Sequence, residues 1–125
     1  MKKSWIALFL IAGILCTNFI YNRLFIKFSD NITAITEQAA ILADTDYDAC
    51  GEYIDKLLEE IESHSLLLYA FSNRDNVDNI ELASKSAAEY YRLNDKASLK
   101  HELLMIQHRM KELENSGKFN LENIL

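Results

Sequence analysis

Nineteen consecutive residues near the start of the chain, Ser4 to Asn22, carry no charge. At a rise of ~1.5 Å per residue they make ~28 Å of helix, close to the ~30 Å hydrocarbon core of a bilayer. Lys2 and Lys3 precede the run, and Trp5 and Tyr21 stand at its two ends, where amphipathic aromatic rings favour the headgroup layer. A cleaved secretion signal also has a basic start and an apolar stretch, but no small-x-small cleavage site follows here. A lipoprotein signal would need a small residue before its cysteine, and Leu15 precedes Cys16. Residues 1–27 therefore read as an uncleaved membrane anchor with its flanks. Lys2 and Lys3 are opposed by Arg23 and Lys27 across the run, so loop charge nearly ties. The free amine tips the expectation towards an inside N-terminus and an extracytoplasmic domain.

Beyond the anchor the chain has no proline, and glycine occurs only three times in the whole sequence, which favours long helices. Apolar residues recur in steps of three and four, the spacing of packed helices. Phe28, Ile32, Ile35, Ala39 and Leu42 form a first stripe. Cys50, Ile54, Leu57, Ile61, His64, Leu68 and Phe71 form a second, the longest. A thinner third holds Val77, Ile80, Ser84 or Ala83, Ala87 and Tyr91, and the fourth holds Leu99, Leu103, Ile106, Met110 and Leu113. No segment shows the period of two expected of a half-buried strand. The fold class is all-α: a transmembrane helix, then a small antiparallel bundle of helical hairpins over residues 28–117.

Short polar residues mark the helix starts, since their oxygens accept from free backbone N–H groups. Thr45 or Asp46 suits the second helix, Asp78 with Glu81 resembles a capping box for the third, and Asp95 suits the fourth. Asn115-Ser-Gly117 reads as the final stop. The apolar tail 118–125 follows, and Phe119, Leu121, Ile124 and Leu125 either fold back to close the third stripe or dock on a partner. At a shift of 48, Ile32, Ile35, Ala39 and Leu42 fall on Ile80, Ala83, Ala87 and Tyr90, an echo compatible with either duplication or chance.

Charge narrows the partners. The first 22 residues hold two lysines and no acid, so of 13 basic and 19 acidic side chains 11 and 19 remain, a net charge near −8. Such a body repels phosphate backbones and anionic headgroups, which argues against nucleic acid and against adsorption on a membrane by charge alone.

The chemistry-bearing residues are sparse. His101-Glu102-Leu103-Leu104-Met105 lacks the second histidine of a zinc-protease helix, with Met105 where it should stand. Ile61, Ser98 and Met105 occupy the positions three before each histidine, where a di-iron bundle needs glutamate. His101 and His108, seven apart, lack a third ligand, so no metal and no cofactor is expected. Cys50 has Asp46, Asp48 and Glu52 around it, which disfavours a thiolate and makes it a small core residue. His64 stands at an otherwise apolar stripe position, the one candidate buried polar site; a bond to a neighbouring carbonyl or to Glu60 explains it most simply. No enzyme is expected.

Three patches carry a resemblance: Asn79 to Leu82, Asp95-Lys96, and Leu121 to Ile124. With the apolar anchor, they make the chain similar to a family of small single-span Firmicutes membrane proteins catalogued as a domain of unknown function. This chain has Tyr47 at the start of the second helix, where many of those proteins have tryptophan. The resemblance implies no catalytic residue, and implies as partner a small multi-span membrane protein encoded alongside. The expected function is a non-enzymatic interaction or accessory module for another membrane or envelope protein. A ligand-binding sensory bundle and a structural coiled-coil envelope protein are the alternatives.

Overall fold

The computed structural model describes residues 2–71 and 74–124, with side chains for all of these except 70, 71 and 116–124. The described residues form five helices: α1 (Lys2–Thr45), α2 (Tyr47–Ser63), α3 (Ser65–Phe71), α4 (Arg74–Arg92) and α5 (Lys96–Ile124). α1 packs against α2 and α5, and α4 packs against the same two helices, so four long helices form an antiparallel ring. The expected hairpins are α1 with α2 and α4 with α5.

The first 45 residues make one element. α1 is 44 residues long, ~66 Å of unbroken helix, and crosses the 27/28 boundary between anchor and bundle without interruption. Its buried residues begin at Phe25 and continue through Phe28, Ser29, Ile32, Thr36, Ala39 and Ala43. That set is displaced from the stripe expected from hydrophobicity alone: Ser29, Thr36 and Ala43 are buried, while Ile35 and Leu42 pack at its edge. Thr36 qualifies because its hydroxyl is hydrogen-bonded on both sides. Thr36 Oγ1 donates to Thr33 O at 2.9 Å and accepts from Gln107 Nε2 on α5 at 2.9 Å. Thr36→Val keeps the shape and leaves the Gln107 amide without that acceptor; a loss of about 1–2 kcal/mol in chemical denaturation is expected.

The turns follow capping chemistry. Asp46 is the one non-helical residue between α1 and α2; its backbone is extended, and its carboxylate accepts from Ala49 N. α4 ends in a paired-bond cap: Asn94 has φ 57°, its N–H donates to Tyr91 O at 3.1 Å, and the Asp95 N–H donates to Tyr90 O at 3.0 Å. Asparagine tolerates this left-handed conformation better than most side chains. Asp95 then caps α5 by accepting from Ser98 N at 3.2 Å.

Three expectations are corrected. The second stripe is not one helix: it breaks at His64, which ends α2, and α3 starts afresh at Ser65. α4 begins at Arg74, so Asp78 lies inside it, paired with Arg74 and accepting from the Tyr69 hydroxyl. Gly117 is no stop, since α5 runs through it to Ile124; a helical glycine costs only ~1 kcal/mol relative to alanine. The apolar side chains of Phe119, Leu121 and Ile124, and Leu125 as a whole, lie outside the described residues. The fourth stripe matches expectation, with Leu99, Leu103, Ile106, Met110 and Leu113 all buried. Cys50, Ile54, Leu57 and Ile61 fill the core from α2, as Leu99, Leu103, Ile106 and Met110 do from α5.

Candidate functional site

Two polar junctions interrupt the apolar seam, one at each end of the ring. At the α1–α2 turn, Tyr47 stacks on Tyr91 of α4, with ring centroids 4.6 Å apart and planes 19° apart. The Tyr47 hydroxyl donates to Tyr91 O at 2.6 Å, and Lys96 Nζ sits 5.4 Å from the Tyr47 ring centre. Gly51 makes room: a Cβ there would collide with the Tyr91 hydroxyl. Beside it, the Cys50 thiol is fully buried and donates to Ala39 O at 3.3 Å. Lys100 pairs with Asp44 across α5 and α1.

Burial pushes the Cys50 thiol up. The phenols of Tyr47 and Tyr91 are also raised, first by burial, then by nearby Cys50 and acidic groups such as Asp95 or Asp48. Each is an acid whose folded form favours the proton, so its stabilising contribution is complete below its ordinary value and lost as pH rises towards the raised one. The melting temperature is expected to fall between about pH 8 and pH 10.5, the ordinary thiol and phenol range, and Cys50→Ala should flatten the lower part of that fall. The junction binds helices together. A protonated thiol already bonded to a carbonyl is a poor nucleophile.

The opposite junction is built on His64. Its ring is half-buried, with Nδ1 2.9 Å from Glu60 O and 3.5 Å from Glu60 Oε2. A carbonyl oxygen only accepts, so Nδ1 carries the proton in that bond. The imidazole faces Phe28 of α1, with centroids 4.9 Å apart. This is the carbonyl-bonded histidine expected from the sequence, placed at a helix end. Beside it opens a groove of about 640 Å³ between α1 and the α2–α3 break, with Tyr21, Leu24 and Phe28 on one wall, Leu66 and Leu67 on the other, and Lys27 at its edge.

The apolar run of α1 begins just below. An 18-residue window within it has a mean hydropathy of 1.9, and none of that window is buried against the rest of the chain. Trp5 and Tyr21 are exposed at its ends, and so are Ile6, Leu8, Phe9, Leu10, Ile11 and Ile14 between them. α1 is thus long and apolar enough to cross a membrane, and the run is no part of the bundle core. Cys16 is exposed on it, so the two cysteines stand apart as free thiols. His101 is exposed on α5, and exposed His108 lies 3.1 Å from Glu112.

Sequence reasoning names His64 as the polar member of an apolar stripe, and the structure places it half-buried and not in the core; Trp5 and Tyr21 stand exposed at the ends of the run. That reasoning misses the Tyr47–Tyr91 stack and the Thr36–Gln107 bond, whose partners are 44 and 71 positions apart. A weak signal existed for the first: glycine inside a helical pattern often marks a close approach.

No curated protein and no solved structure matches the chain. The family described as Domain of unknown function (DUF4363) matches residues 16–124, the whole of the bundle and the end of the apolar run. The chain belongs to this family of unknown function.

Proposed function

We propose that the protein is a non-enzymatic accessory module, held in the cell membrane by a single span of α1, whose bundle stands on the extracytoplasmic side and binds another membrane or envelope protein. The carrying observation is that α1 is continuous from the unburied apolar run into the bundle wall. A span joined to its domain by a helix, with no linker, sets the height and angle of the domain above the bilayer. That geometry suits docking on a neighbour in the same membrane better than capture of a diffusing substrate.

The polar groups at the seam favour the same reading, since buried Cys50 and Thr36 and half-buried His64 are each used in bonds between or within helices. A rod-like coiled coil would need one uninterrupted helix after the anchor, and the chain turns back at Asp46 and Asn94.

Detergent-solubilised full chain and a form lacking residues 2–22 are to be compared in pull-downs from envelope extracts. The expected result is a reproducible envelope partner retained by the bundle. No reproducible partner with either form contradicts the reading. Orientation is tested by Leu93→Cys, an exposed position at the α4–α5 turn, because native Cys50 is buried. An impermeant maleimide should label it from outside intact cells.

A further inference from the structure

The seven residues of α3, SLLLYAF, are mostly apolar, yet the helix turns only part of that character inward. Leu68 is fully buried and Leu67 half-buried, whereas Leu66 is 84% exposed and Tyr69 41% exposed. Leu66 is thus barer than Phe9 in the apolar run itself, at 75%. A lone exposed leucine needs no explanation, and Ile41, Leu82, Leu93 and Leu104 are scattered over the bundle as such. Leu66 differs by its position: with Leu67 it forms one wall of the groove whose other wall is Tyr21, Leu24 and Phe28. Those three residues are the end of the apolar run and the first turn of the bundle.

The height can be read from α1. From Asn22, the last residue of the uncharged run, to Phe28 is ~9 Å of helix. The headgroup layer adds ~5–7 Å to each side of the hydrocarbon core. The groove therefore straddles that layer if α1 spans, and Lys27 in the groove and Arg23 one turn earlier stand at the height of lipid phosphates. Tyr69 is braced by its hydroxyl, which donates to Asp78 on α4 at 3.3 Å, leaving the ring presented outward.

We propose that α3 is a second membrane contact: it rests in the lipid headgroup layer beside the span, with Leu66 at the acyl-chain boundary, Tyr69 among the headgroups and lipid filling the groove against Leu24. The partner is the phospholipid surface. The apolar wall of the groove on α1 continues the unburied run, and Arg23 and Lys27 stand at the height of the phosphates, with Asp30 and Glu60 as the acids beside them. The contact through Leu66 and Leu24 is apolar, while Asn31, Glu60, Ser63 and His64 also line the groove. A bundle held at the span and at α3 has a fixed tilt and presents one face to its neighbours. This rests on the reading of α1 as a span.

The test uses the full chain in vesicles of phosphatidylethanolamine and phosphatidylglycerol, with and without phosphatidylcholine brominated along its acyl chains. In a Trp5→Phe background, a single tryptophan is placed by Phe9→Trp, Leu66→Trp or Leu93→Trp, all exposed positions that leave the core intact. Phe9→Trp and Leu66→Trp are expected to lose at least half their emission to the brominated lipid, while Leu93→Trp is unchanged. Quenching of Phe9→Trp without Leu66→Trp overturns the α3 contact and leaves the span standing. Quenching of Leu66→Trp and Leu93→Trp alike means a bundle lying flat, which also overturns it. No quenching of Phe9→Trp removes the span, and this proposal falls with it.

Discussion

Leu103→Ala should lower the stability of the bundle by about 2–5 kcal/mol, a large part of the roughly 5–15 kcal/mol that holds a domain of this size together. Leu103 is fully buried on α5, which packs between α1 and α4. Truncation there removes the transfer energy of the lost methyl groups and leaves a cavity that three rigid helices cannot readily close. Leu104, the next residue, is 61% exposed, and Leu104→Ala should change stability by no more than about 0.5 kcal/mol. Urea denaturation followed by circular dichroism in a mild detergent compares the two. Equal losses would mean that α5 presents a different face to the ring.

The second large effect concerns the membrane. Ile14→Arg puts a charge near the middle of the uncharged run, and a charge at that depth costs about 2.5–3.5 kcal/mol on insertion scales. The fraction of protein recovered with membranes should drop sharply. Ile14 is exposed and lies eleven residues before Phe25, where burial in the bundle begins. The thermal unfolding of the bundle, measured in detergent, should therefore stay as it was. Loss of both together would show that the run supports the fold, and the separation of anchor from core would be wrong.

Much of this architecture was legible because helices on a shared core must repeat their apolar residues in steps of three and four. The stripe from Leu99 to Leu113 needed nothing more, and Asp46 and Asp95 cap as short acidic side chains should. The stripe on α1 was displaced because hydropathy alone cannot admit a buried threonine, and the Thr36 hydroxyl is satisfied by Thr33 O in its own helix and by Gln107 from a distant one. His64 was recognised as the odd residue of its stripe. Its place at a helix end and its contact with Phe28, some 36 positions away, are not encoded in any local pattern.

Asp78 misled for a related reason: a capping residue has the same composition as an acid in the first turns of a helix, and α4 had begun at Arg74. Gly117 misled because glycine permits a stop without imposing one. The end of the chain, KFNLENIL, therefore continues the last helix as far as Ile124. The groove beside α3 was invisible in the sequence, since its walls lie some 40 positions apart. Family membership supplies no activity against which to read it.

The central claim is that α1 is at once a membrane span and a wall of the bundle. Flotation on a density gradient after an alkaline carbonate wash tests it most directly, with the full chain compared with a chain that starts at Arg23 and keeps every buried residue of α1. The full chain should rise with the lipid after the wash, while the shortened chain remains in the load with its helical signal intact. Recovery of the washed full chain in the load would contradict the account.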